Sequence, residues 1–151
     1  MPRFSEPRRV PIDSLKIDPA IAPKPDETLI RLVGLAVKGH MPVYLAQIPL
    51  APCVPFDLDY GPEVHPAIAK LTQDRIEKLQ QQPISMIVYP RGHWFIVSDD
   101  YPTLFAYRER LPSHAPCIVI GKPEGEHVEV LEGPLTPEEA KEAIFGGMVT
   151  G

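Results

Sequence analysis

Hydrophobic positions recur along this chain with two periods, and each stretch predicts an element. Residues 26–38 (DETLIRLVGLAVK) place Leu29, Leu32, Val33, Ala36 and Val37 on one helical stripe. Asp26 is positioned to cap that helix, Lys38 suits the negative end of its dipole, and Gly39 supplies the stop. Residues 41–50 (MPVYLAQIPL) read as a strand whose Pro42 and Pro49 keep it at a sheet edge or confine it to the middle of the segment. Ile68, Leu71, Ile76 and Leu79 mark a second helix running to about Gln82. Residues 84–89 (ISMIVY) and 93–98 (HWFIVS) flank Pro90-Arg91-Gly92 in the pattern of a β-hairpin. A third helix is predicted over residues 102–110, with Asp99 or Asp100 near its N-cap, then short strands over 117–120 and 127–131. Thr136-Pro137-Glu138-Glu139 is a capping box with proline at the first helical position, and Gly146-Gly147 ends the helix it opens. Residues 10–17 (VPIDSLKI) suggest a further strand and turn near the start.

Composition divides this pattern in two. Of the 20 prolines among 151 residues, twelve lie in residues 1–66, so that part consists of short elements joined by stiff extended segments, with residues 51–66 a proline-rich loop. Residues 67–151 read as an ordinary core with mixed strands and helices. The expected fold is α/β (α+β), a small mixed sheet with flanking helices, and the N-terminal part packs on it. A hydrophobic content of 44% with 23% charged residues excludes a disordered, highly charged tail. No apolar run is long enough for a membrane helix, and the N-terminus leads into no apolar secretion segment, so a cytoplasmic protein is expected. Cys53 and Cys117 are then expected to be reduced thiols. A net charge of −5 argues against broad, unspecific nucleic-acid binding, although Arg3, Arg8 and Arg9 make a small basic patch.

Between Leu71 and Ile120 the order is helix, strand, glycine-bearing turn, strand, acidic turn, short helix ending AYRERL, and strand CIVIG. This order resembles the core of the ParB/sulfiredoxin superfamily, and VPIDSLKI resembles that superfamily's entry strand. The resemblance covers rather less than half of the chain. It implies DNA or a nucleotide phosphate as ligand, bound between the second hairpin strand and the following helix. Anchored on Ala106-Tyr107, Asp99 matches the ParB-like aspartate, while Asp100 replaces the usual glycine. The sulfiredoxin cysteine falls on Tyr101 and its His-Arg pair on Pro102-Thr103, so sulfinic-acid reduction is excluded on this alignment. A glycine turn at a helix N-terminus admits phosphate to backbone N–H groups, and arginine adds bidentate contacts. Here two carboxylates satisfy the dipole themselves and repel a bare phosphate. Nucleotide binding would need a divalent cation, Mg²⁺ or Mn²⁺, bridging carboxylate and phosphate.

Asp99 and Asp100 are thus the candidate catalytic and metal-binding residues of a phosphodiester or nucleotide hydrolase, set against the plainer reading of a helix cap and a solvated neighbour. Asp57, Asp59, Glu63 and His65 form a second acidic cluster that lacks calcium-loop spacing and reads as a solvated loop. Arg91, Trp94, Arg108 and Arg110 form a candidate basic and aromatic rim for nucleotide or nucleic acid, with Tyr101 beside it. The remaining histidines have no metal-ligand spacing. Two functional readings follow. One is a DNA- or nucleotide-associated module of the ParB/sulfiredoxin type, from a plasmid or mobile element, acting as a metal-dependent nuclease or nucleotide hydrolase. The other is a catalytically silent domain of the same fold that docks a protein partner through its proline-rich half.

Overall fold

A computed structural model describes residues 25–58 and 66–146. The expected entry strand at residues 10–17, the patch Arg3, Arg8 and Arg9, and Asp59, Glu63 and His65 lie outside the described residues. The chain forms helix α1 (Glu27–Val37), strands β1 (Val43–Pro49) and β2 (Cys53–Pro55), helix α2 (Pro66–Leu79), strands β3 (Met86–Arg91) and β4 (Trp94–Val97), helix α3 (Tyr101–Arg110), strands β5 (His114–Ile120) and β6 (Glu129–Glu132), and a short helix α4 (Pro137–Lys141) that runs into a π-type turn over Glu142–Gly146. The fold is α+β, with one six-stranded mixed sheet in the order β2-β4-β3-β5-β1-β6. Strands from either side of residue 66 share this sheet. Among the described residues, no helix is long and apolar enough to cross a membrane.

Several local rules hold as read. Asp26 caps α1, its Oδ1 accepting from the Thr28 and Leu29 amides at 3.0 and 3.2 Å. Its other oxygen accepts from the Tyr89 hydroxyl at 2.7 Å, which ties the helix start to β3. Burial and this carboxylate push the Tyr89 hydroxyl above its ordinary pKa. The capping box of α4 is complete, with Glu139 N bonded to Thr136 Oγ1 and Thr136 N to Glu139 Oε1.

One expectation is decided between its two alternatives, for a strand confined to the middle of its segment, and two need correction. The strand read over residues 41–50 lies inside the sheet, pairing antiparallel with β5 on one side and β6 on the other. Its prolines are accommodated because Pro42 precedes the strand and Pro49 is its last residue. The proline-rich loop contains β2, an edge strand that runs parallel to β4 and so tolerates Pro55. The hairpin turn is Gly92-His93 rather than Pro90-Arg91-Gly92, since Pro90 pairs with Phe95 and Arg91 with Trp94. Gly92 takes the left-handed φ of +63° that two-residue hairpin turns demand.

The sheet is strongly curled. Four strand spacings separate β2 from β1, about 19 Å if the sheet were flat. Yet only residues 50–52 join the two strands, and the Cys53 amide bonded to the Leu50 carbonyl at 2.9 Å folds them into a turn. Such a turn brings its ends within about 7 Å, so the sheet bends round on itself. Alternation along β3 and β5 then feeds two cores. Met86, Val88, Cys117 and Val119 face inward with Ala46, Ile48, Cys53, Leu104 and Tyr107. Ile87, Ile118 and Ile120 face outward, under Ala36 of α1 and Ala140 of α4. The first seven residues of helix α3, Tyr101 to Tyr107, are all buried, and only its last turn is exposed. Leu104 and Tyr107 meet the sheet, while Tyr101 and Phe105 meet Ile68 of α2.

Candidate functional site

The acidic turn between β4 and α3 is where the sequence placed its chemistry. Asp100 stands at the N-cap position of α3 with a left-handed φ of +53°, a conformation that aspartate tolerates better than most residues. Its side chain caps no helix amide. The sequence reading of a capping carboxylate is corrected for this residue, because Asp100 turns inward instead. Asp100 is 1% exposed, and its Oδ1 accepts from Arg75 Nε at 3.1 Å while its Oδ2 accepts from Thr103 Oγ1 at 2.6 Å. The same Arg75 Nε also donates to Thr103 Oγ1 at 3.1 Å, and Arg75 Nη1 reaches Asp74 Oδ2 at 2.9 Å. Arg75 is itself fully buried.

Two opposed effects act on Asp100. Burial disfavours the charged carboxylate, and Arg75 and the Thr103 hydroxyl favour it. Burial dominates, and the carboxyl is pushed up to about 6. Asp99, its half-buried neighbour, adds repulsion in the same direction. The two aspartates therefore do not present a matched pair of open carboxylates. Among the described residues, no group of three or more His, Cys, Asp or Glu side chains is arranged to hold a metal ion.

The sequence reading missed Arg75, although a signal was present. In α2 the positions 68, 71, 72, 75 and 79 form one helical stripe, and Arg75 interrupts it with a charge. A buried cation on such a stripe requires a counter-charge from a facing element, and α3 supplies it.

The remaining candidates separate into four places. Tyr101 is fully buried, its hydroxyl accepting from the Asp57 amide at 3.1 Å, so it offers no surface to a ligand. Arg108 donates from Nη2 to the Cys53 carbonyl at 3.1 Å, fastening α3 to β2. Arg110 lies at a groove of about 300 Å³ between Tyr107, Pro112 and Pro116. Arg91 and Trp94 do come together. They are direct cross-strand partners at the tip of the β3–β4 hairpin, and both are exposed, Trp94 by 52%. Beside them runs a cleft of about 500 Å³ lined by His93, Phe95, Pro49, Val128, Glu124 and Glu126. The sequence matches no protein-family model, and no curated protein resembles it significantly.

Proposed function

We propose that this chain is a catalytically silent domain of the ParB/sulfiredoxin type that binds a protein partner at the tip of its β3–β4 hairpin. The order of elements from α2 to β5 supports that fold. The observation that carries the binding reading is the Arg91–Trp94 pair, exposed side by side at the tip. Tryptophan and arginine are the side chains that most often anchor protein interfaces, and a half-exposed indole in a folded domain is available for burial by a partner. The silence follows from Asp100: a carboxylate enclosed by Arg75 and Thr103 would have to leave both before serving a metal or a substrate.

The same pair favours a second reading, in which Trp94 stacks on a base and Arg91 contacts phosphate. Glu124 and Glu126 at the adjoining cleft, and the net charge of −5, weigh against it. Trp94 is the only tryptophan, so its fluorescence reports on this site alone. Titration with single-stranded DNA, CTP and ATP, with and without Mg²⁺ or Mn²⁺, is expected to leave that fluorescence unchanged. Saturable quenching would replace the protein-binding reading with the nucleotide one. For the protein partner, Trp94→Ala and Arg91→Ala are expected to abolish co-purification while leaving the thermal unfolding midpoint within about 2 °C of the parent, because both side chains are exposed.

A further inference from the structure

Cys53 and Cys117 come from β2 and β5, which β4 and β3 separate in the hydrogen-bonded order of the sheet. The curl nevertheless gathers the two residues into one buried cluster, where the Cys53 side chain acts directly on the Cys117 thiol. Both are closed to solvent, at 0% and 2% exposure. Around Cys117 the neighbouring side chains are small. Ala46 stands directly opposite it on β1, and Ala115 is the adjacent inward residue of its own strand. Cys53 Sγ also donates to the Pro49 carbonyl at 3.4 Å, which aims it inward from the β1–β2 turn.

We propose that Cys53 and Cys117 form a redox pair, oxidised by a hydroperoxide to an intramolecular disulfide that staples the edge strand β2 across the curled sheet to β5. In the first step one thiol gives up its proton and its sulfur attacks a peroxide oxygen. The O–O bond breaks, water or an alcohol leaves, and a sulfenic acid remains. The second sulfur then attacks the first, the S–O bond breaks, and water carries away the hydroxyl with the remaining thiol proton. With hydrogen peroxide, two thiols lose two protons and two electrons, and the peroxide becomes two waters. A dithiol reductant reverses the change by thiol–disulfide exchange.

Burial sets the rate. A closed pair reacts through opening of β2, which is three residues long and, among the described residues, paired only with β4. Burial and the adjacent Cys53 sulfur push the Cys117 thiol well above its ordinary pKa, so Cys117 remains protonated while the pair is closed. Cys53 pairs with Phe95, the residue after Trp94. The staple therefore fixes the strand that carries the proposed binding tip.

The test uses the full chain in native buffer with hydrogen peroxide. Remaining thiols are alkylated in denaturant, then the intact mass is measured and a non-reducing peptide map is made. The expected result is loss of both free thiols together, a mass lower by two hydrogens, a peptide pair linking residues 53 and 117, and full reversal by dithiothreitol. The thermal midpoint of the oxidised monomer should rise, because the link constrains the unfolded chain. Cys53→Ala and Cys117→Ala should each prevent the mass loss. Should either variant fail to fold, the peptide map of the parent protein decides alone. Thiols that persist through treatment, that gain oxygen without linking, or that cross-link separate chains would each overturn the proposal.

Discussion

Arg75 and Asp100, 25 residues apart in the chain, meet at 3.1 Å with side chains 0% and 2% exposed, and their ion pair clamps α2 to α3. Removing one member of such a pair strands the other charge away from water, typically at about 3–5 kcal/mol, whereas removing both is far cheaper. Arg75→Met is expected to lose stability in that range by urea denaturation at neutral pH, Asp100→Asn to lose less because burial already favours the neutral carboxyl and Arg75 keeps Asp74, and the double variant to lose much less than the sum of the two. Asn accepts the left-handed backbone of position 100, so the cycle reports the charge and not the turn. Additive losses would show that the two residues do not act as a pair.

The same carboxyl gives the protein a pH signature. Asp100 titrates near 3.8 when unfolded and at about 6 when folded, because burial outweighs Arg75 and Thr103. Between those values the folded chain holds the extra proton. The stability this group contributes is fully present below 3.8 and is lost as pH rises through about 6. Relative to Asp100→Asn, which does not titrate, the parent should therefore gain stability on acidification across this window, by roughly 3 kcal/mol in total. Urea midpoints of both proteins, measured from about pH 3.5 to about pH 7, check it. A difference that stays flat with pH would rule out the raised pKa.

Tyr107 joins α3 to the start of the sheet through one residue. Its hydroxyl donates to the Ile84 carbonyl at 2.7 Å and accepts from the Ile84 amide at 3.1 Å. Tyr107→Phe leaves both backbone groups unpaired in a buried place, and a loss of about 1–3 kcal/mol is expected in chemical denaturation. A loss below about 0.5 kcal/mol would mean that water replaces the hydroxyl there.

Helix α3 ends on Leu111, which takes a left-handed φ of +53° while 78% exposed. Glycine is the usual residue for this position, since a Cβ is strained there. Leu111→Gly removes that strain with little packing to lose, and a gain of up to about 1 kcal/mol is expected from thermal or urea unfolding. Destabilisation instead would assign the leucine side chain a contact that offsets the strain.

What could be read from sequence was mostly local. The Asp26 cap, the capping box at Thr136 and the hairpin around Gly92 each depend on residues close in the chain, and all three form. What was left open or missed was of tertiary origin. For β1 the prolines left two alternatives, an edge strand or one confined to the middle of its segment, and only the tertiary pairing decides for the second: Pro42 precedes the strand and Pro49 is its last residue. Strand β2 is too short and too rich in proline to announce itself; its parallel pairing with β4 defines it. At the acidic turn, sequence identified the place and mistook the direction. Two adjacent aspartates look alike in a string of letters, and only the buried Arg75 opposite decides which one turns inward.

Strand order has a further consequence, for the time at which this sheet can be completed. Strand β1 is made early, yet both its partners, β5 and β6, come after residue 113. While the chain emerges from the ribosome, β1 has no neighbour to pair with, and Val43, Ala46 and Ile48, all buried in the finished protein, face water or a chaperone. The β3–β4 hairpin needs only its own two-residue turn and can close long before. Strand β5, made late, thus closes the middle of the sheet, and a chain cut short before His114 would leave β1 without a partner.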